Sequence, residues 1–285
     1  MSHQIHTMNV GTATVTTINV GDVRIRLADL LVIPQEERTV ALMAPIEQPA
    51  RFPTQCFLLA FKGAAVLIDA CEYTSSFPPT SPYSLPNYEL PPDLITQLHQ
   101  QGVKPADITH VIITHAHFDH YSGTTIERAG QIVPAFPHAR YLLHRADWEL
   151  PNMQQALQDH TSPQYRTLGV LHQAGLLELV EGPFEPLAGL TLLPAPGESP
   201  GHQIVRLHSQ GQTLYCLGDL YHDPVEVEHP TWMSTWAEPT QTLRSRQTLA
   251  EAALGEQAQL CAAHIPGFGR LDLVCGQLKW RSLLP

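Results

Sequence analysis

Hydrophobic and polar positions alternate from residue 12 to residue 31, where β-branched side chains are frequent, and this period of two predicts a half-buried strand. Residues 56–61 and 65–68 are nearly unbroken apolar runs on either side of Lys62-Gly63. They predict two buried strands joined by a tight turn, with Asp69 at the end of the second. The proline-rich stretch 72–93 can continue neither a helix nor an inner strand, so it is expected to be an ordered surface loop and a candidate lid. Asp93 caps a predicted helix that runs to residue 101 and stops at Gly102, and the apolar run 108–114 follows as a strand. Beyond it, 139–143 reads as a strand and 146–174 as helical segments. Strand character returns at 176–180, 190–195, 204–208 and 213–217. Residues 241–254 predict a helix with Leu243, Ala250, Ala253 and Leu254 on one face, ended by Gly255, and 259–263 is a last short apolar strand. Strands in each half, each set followed by helices, imply two sheets packed face to face with helices outside. The expectation is a single α/β domain over residues 1–285.

Composition narrows this picture without redrawing it. The 285 residues are 43% hydrophobic and 15% charged, as in an ordinary globular enzyme. No apolar stretch approaches the ~20 residues that span a bilayer. The first six residues lack a basic segment followed by an apolar one, so no leader is expected and the cytoplasm is the default address. Cys56, Cys71, Cys216, Cys261 and Cys275 are scattered without a CxxC pair, against both a disulfide framework and a zinc knuckle. A net charge of −11 argues against nucleic-acid and membrane partners and leaves a small-molecule substrate. An anionic one stays compatible, because a bound metal reverses the local field.

The chemistry concentrates at residues 115–120, His-Ala-His-Phe-Asp-His, directly after the apolar Val111-Ile112-Ile113-Thr114. In an extended loop His115 and His117 project to one side and can reach one cation, while Asp119 and His120 lie one step further and can serve a second. Further candidates stand at strand ends: His202 after Pro200-Gly201, Asp219 after Leu217-Gly218, and His264 after Ala262-Ala263. Each follows a small residue that permits close backbone approach to a crowded centre.

Taken in order, Asp69, the loop from His115 to His120, His202, Asp219 and His264 resemble the motifs of the metallo-β-lactamase superfamily hydrolases, over about residues 12–270. The resemblance implies a four-layer αββα sandwich of two mixed β-sheets with helices on the outer faces. It implies two divalent metal ions, zinc first, with iron or manganese as alternatives that donor type does not separate. His115, His117 and His202 would hold the first, Asp119, His120 and His264 the second, and Asp219 would bridge them; Asp69 would orient the loop by hydrogen bonds. One departure is visible: relatives repeat Pro-Gly-His, whereas here the first copy is Pro196-Gly197-Glu198, whose carboxylate is expected to be solvated.

Two cations about 3.5 to 4 Å apart lower the pKa of a bridging water and polarise the bond it attacks, which is hydrolytic chemistry. Asp119 could orient that water and pass its proton to the leaving group. A carboxylate at Asp219 resembles glyoxalase II, lactonases and phosphoesterases more than true β-lactamases. Glyoxalase II adds a C-terminal helical domain, and only 21 residues follow His264, so its thioester chemistry is not expected. The runs Leu220-Tyr221-His222-Asp223-Pro224 and Ala263-His264-Ile265-Pro266-Gly267 resemble the methyl parathion hydrolase and N-acyl homoserine lactonase branch. That likeness implies catalytic roles for Tyr221 or His222 as hydrogen-bond donors to an oxyanion. The aromatic residues Phe118, Tyr121, Trp232, Trp236 and Phe268 lie near these candidates and would suit an apolar acyl or aryl group.

The leading expectation is therefore a dinuclear metal hydrolase of a lactone, carboxylic ester or phosphotriester, with a homodimer expected at family level. An iron-dependent oxidoreductase or dioxygenase of the same superfamily is the alternative. A phosphodiesterase or nuclease stands behind it, for want of a basic arm.

Overall fold

The computed structural model describes residues 5–85 and 88–284. Pro86 and Asn87 of the proline-rich stretch, and the first four residues, lie outside them. Two seven-stranded sheets carry the architecture, and in each the spatial order of strands follows their order in the chain. The first contains β1 (His6–Val10), β2 (Ala13–Arg26), β3 (Pro49–Phe61), β4 (Ala64–Ile68), β5 (Ile108–Ile112), β6 (Arg140–His144) and β7 (Leu177–Val180). The second contains β8 (Phe184–Leu187), β9 (Leu190–Pro194), β10 (Gln203–Ser209), β11 (Gln212–Cys216), β12 (Gln259–Ala262), β13 (Ile265–Val274) and β14 (Gln277–Ser282). Both sheets are mixed: β4 to β7 run parallel, as do β11 and β12, and the remaining neighbours are antiparallel.

The pleat makes the layers. Phe57 and Leu59 of β3 point into the inter-sheet core, where they meet Leu192, Val205, Leu207 and Leu214 of the second sheet. Leu58, between them, points outward to the layer holding Leu94 and Leu98 of the helix Leu94–Gln100. On the far side, Leu249, Ala250 and Ala253 of the helix Pro239–Gly255 cover Tyr215 and Leu260. The result is the four-layer αββα sandwich, and the two mixed sheets match the expectation. The turn at Lys62 and Gly63 is also as read: both φ angles are positive, 51° and 78°, and Phe61 pairs with Ala64 across a two-residue loop.

The strands His6–Val10 and Phe184–Leu187, the hairpin of Thr125–Arg128 with Gln131–Pro134 and the helix Val40–Ile46 lie outside the predicted elements, β3 begins at Pro49 and not at residue 56, and three further differences have a clear physical reason. The strand expected to reach residue 31 ends at Arg26, and a one-turn helix, Leu27–Leu30, follows; Leu27 and Leu30 both bury at a spacing of three, which alternation cannot provide. In the helix Pro239–Gly255, Leu243 faces solvent, and the buried stripe is Thr242, Ser245, Arg246, Leu249, Ala250 and Ala253. The last short strand is followed by the hairpin of β13 and β14, which the sequence reading left out. Its charged residues Arg270, Asp272, Lys279 and Arg281 and the glycines Gly267 and Gly269 hide the alternation.

Candidate metal centre

Asp69, the His-rich loop, Asp219 and His264 follow the carboxyl ends of β4, β5, β11 and β12, which form one parallel pair in each sheet, β4 with β5 and β11 with β12. Asp69 sits at φ 58°, a left-handed conformation unusual for a non-glycine residue. From there its carboxylate accepts from Thr114 N (2.8 Å), Thr114 Oγ1 (2.9 Å) and His120 Nδ1 (2.8 Å). The backbone position is what lets one side chain fasten the strand end to the loop. It also fixes the His120 tautomer, leaving Nε2 turned to the centre. His264 is held likewise, with Nδ1 2.9 Å from Pro53 O.

The free nitrogens converge on Asp219. Its Oδ2 lies 3.2 Å from His120 Nε2, 3.4 Å from His264 Nε2, 3.5 Å from His222 Nε2 and 3.8 Å from His115 Nε2. Burial alone would raise the Asp219 carboxyl, but His120 and His264 draw it well below the usual range. His120 moves the other way: burial opposes its charge, and Asp219 and Asp69 raise it well above an ordinary imidazole. Burial, joined by His120 and His117, holds His115 well below.

Two donor groups result. His115, His117, Glu198 and Asp219 offer atoms within 4.8 Å of one another, and so do Asp119, His120 and His264. His115 Nε2 and His117 Nδ1 face each other at 2.8 Å, and Asp219 Oδ1 is buried without a hydrogen-bond partner. A cation between such lone pairs would satisfy both, and the imidazole and carboxylate donors suit zinc, iron or manganese. The residues present therefore fit a divalent cation.

His202 is fully buried, its ring centroid 5.1 Å from that of His115. Its Nδ1 donates to Ala195 O at 2.9 Å, and its Nε2 accepts the backbone N–H of Asp219 at 3.1 Å. Gly218 makes this approach possible, since a Cβ there would stand 2.8 Å from His202 Nε2. Glu198 departs from expectation: it is buried, not solvated. It accepts from Ser234 Oγ (2.6 Å) and Trp236 Nε1 and faces His117 Nδ1 at 3.5 Å and His222 Nε2 at 3.6 Å. Burial opposes its ionisation, but His222 holds its carboxyl down near 2.

His222 and Tyr221 part company. His222 lines the cavity above the cluster, and neither of its ring nitrogens has a hydrogen-bond partner. Tyr221 turns into the outer layer of the second sheet, its ring 4.8 Å beneath the Arg246 guanidinium, and is absent from the cavity wall. The cavity measures about 480 Å³. Asp119, Asp219, His117, His222 and His264 make its floor, and Phe52, Phe77, Phe118, Trp236, Ile25 and Leu30 much of its wall. Phe118 and Trp236 are thus where the aromatic expectation put them; Tyr121, Trp232 and Phe268 are buried core residues. Phe77 and Tyr83 bring the proline-rich stretch to the cavity.

One residue that no local signal marks is Asp147, fully buried on the one-turn helix Arg145–Trp148. It accepts from Ala116 N (2.8 Å), Ser199 Oγ (2.8 Å) and Gly201 N (2.6 Å). A Cβ at residue 201 would lie 2.7 Å from it, so glycine is needed there. In sequence, Arg-Ala-Asp-Trp reads as a solvated helix turn.

Comparison with known proteins identifies the family and the fold. Residues 49–247 match the sequence model of the Metallo-beta-lactamase superfamily. An N-acyl homoserine lactonase of Bacillus cereus is 27% identical over 173 residues, 58% of this chain and 62% of the relative, so the match spans less than two thirds of that protein. Among solved structures, the hydrolase AbOPH of the beta lactamase superfamily superposes with a TM-score of 0.80 at 16% identity, covering 100% of this chain and 99% of that one. AidC, a dizinc quorum-quenching lactonase solved with the product N-hexanoyl-L-homoserine, gives 0.73 at 18% identity over 99% and 98%. At these identities the two structures establish the shared fold.

Proposed function

We propose that this chain, which belongs to the metallo-beta-lactamase superfamily, hydrolyses a neutral small molecule of the lactone, carboxylic ester or phosphotriester class at a two-cation centre. The observation that carries the reading is the pair of donor clusters opening onto the floor of a largely apolar cavity. In it, His115, His117 and His202 hold one cation, Asp119, His120 and His264 the other, and Asp219 lies between. Divalent cations so held supply Lewis acidity and a water of lowered pKa.

The protein's own groups do the rest. Asp119, which reaches the cavity, orients the attacking water and holds its proton for the leaving group. His222, which lines the cavity with no acceptor nearer than 3.5 Å to its Nε2, donates to the oxygen on which charge develops. That role falls to His222 and not to Tyr221, which has no access to the cavity. The aromatic wall excludes bulk water and receives the apolar part of the substrate. Among the described lining residues there is no lysine or arginine to anchor an anion. This favours a neutral ester over a phosphodiester.

The test pairs metal analysis of the purified protein with a panel of lactones, aryl esters, phosphotriesters, phosphodiesters and thioesters. Turnover of a neutral ester is expected, and Asp119→Asn should lower kcat by at least about 100-fold with the fold intact by circular dichroism. Full turnover by that variant, or hydrolysis confined to thioesters or phosphodiesters, would overturn the reading.

A further inference from the structure

Arg246 is an arginine at a core position: it sits on the buried stripe of the helix Pro239–Gly255 and is 3% exposed. Its Nε donates to Leu220 O at 3.0 Å, its Nη1 to Pro230 O at 3.0 Å and to Trp232 O, and its Nη2 to Glu226 Oε1. Glu226 is fully buried, and its other oxygen accepts the backbone N–H groups of His222 and Asp223. One guanidinium thus holds both ends of the segment between Leu220 and Trp232, and its carboxylate partner holds the middle, at the residue that faces the cavity. Neither charge lines the cavity itself.

A buried ion pair is a poor way to gain stability, because desolvation offsets most of its attraction and an apolar replacement of similar volume is often as stable. What this pair does provide is geometry. The ring nitrogens of His222 make no hydrogen bond of good geometry; their nearest acceptors stand at ion-pair distance, Asp219 Oδ2 at 3.5 Å and Glu198 Oε1 at 3.6 Å from Nε2, and Glu226 Oε2 at 3.6 Å from Nδ1, so one member of the buried pair itself faces the ring. Its placement depends on the backbone bond to Glu226, 2.5 Å long, on these carboxylate contacts, and on packing against His264 and Trp236.

We propose that Arg246 and Glu226 are positioning residues that set the His222 ring at the cavity floor. The proposal rests on the hydrolytic reading above and on the role it gives His222. Neither residue touches substrate; both act through the Leu220 to Trp232 segment, and Glu226 also through its contact with His222 Nδ1.

The test compares His222→Gln with the double variant Glu226→Gln/Arg246→Met. The double variant removes both charges together and avoids the unpaired buried charge that either single change would leave. It should fold, bind as many cations per chain as the wild type and keep its KM, while kcat falls about 10- to 100-fold, the usual range for groups that orient a reacting residue. A second readout needs no turnover. In histidine-labelled, cation-free protein, the His222 ring signal, identified by its loss in His222→Gln, should be sharp in the wild type and broadened or shifted in the double variant. If His222→Gln lowers kcat while the folded, loaded double variant matches the wild type in kcat and ring signal, the positioning role is wrong. If His222→Gln turns over normally, the catalytic role of His222 fails instead.

Discussion

Four imidazole nitrogens within 3.8 Å of one carboxylate oxygen is an arrangement that hydrogen bonding alone does not explain, because one oxygen cannot accept from all of them. Cations at the centre would turn the contacts of His115, His120 and His264 into donors pointed at a metal and leave His222 to face the substrate. At this scale His202 and Glu198 compete for the first cation. His202 has its Nε2 engaged by the Asp219 N–H, whereas Glu198 stands in the donor group with His115 and His117. His202 is nevertheless expected to be the ligand, since its Nδ1–H is held by Ala195 O, which fixes the tautomer and leaves the Nε2 lone pair turned to the centre. After equilibrium dialysis against zinc, His202→Ala should lose about one equivalent per chain, and Glu198→Gln should retain both with affinity lowered about 10-fold. Loss of an equivalent in Glu198→Gln alone would transfer the ligand role. The sequence made His115, Asp219 and His264 readable through their small neighbours and strand ends. It could not do so for Glu198, because Ser234 and Trp236, which close over it, meet it only in the folded chain.

At the scale of elements, the site depends on loops that different strands deliver and that something must hold together. Asp69 fastens the end of β4 to the His-rich loop, and Asp147 joins that loop at Ala116 to the loop before β10 at Ser199 and Gly201. Asp147→Asn presents an N–H₂ group where one oxygen accepted, so at least one of those bonds becomes a donor facing a donor. The expected result is a 10- to 100-fold loss of cation affinity, roughly the effect of removing groups that orient ligands. Ser199→Ala, which removes a single hydroxyl, should lose far less; a cobalt titration of both variants measures the difference, and equal affinities would reduce Asp147 to a packing role. Elements whose burial follows a simple period were legible, as β3, β4 and the helix Leu94–Gln100 show. Those where a charge is buried or both hairpin faces carry charges were not. Arg246 turns the stripe of its helix away from Leu243, and the ion pairs of Arg270 and Arg281 with Asp272 mask β13 and β14.

For the molecule as a whole, the cavity is assembled across the seam between the two sheets. Val23, Ile25 and Phe52 come from β2 and β3, Asp29 and Leu30 from the one-turn helix, and Trp236 and His264 from the second half of the chain. Trp236 is 52% exposed, yet its indole N–H is tied to Glu198, so the wall it forms is a fixed surface held over the cluster. Fixed apolar walls with acidic groups, and no lysine or arginine among the described lining residues, discriminate by charge before shape. A phosphotriester and the diester left by removing one alkyl group share the same reacting oxygens, so bound cations favour both, and only the added negative charge differs. Bound cations attract that charge and take up Asp119, but against Asp29, the apolar wall and a net charge of −11 it should still lower kcat/KM by about 100-fold, which corresponds to roughly 2.7 kcal/mol and is within reach of one like-charge contact at an effective dielectric constant near 20. Trp236→Ala should instead raise KM for the neutral ester about 10-fold, the loss of part of an apolar contact, with melting temperature nearly unchanged because the side chain is half exposed. Comparable kcat/KM for triester and diester, or a fall in kcat without a change in KM in Trp236→Ala, would mean that the wall acts on the reacting groups and does not select the substrate.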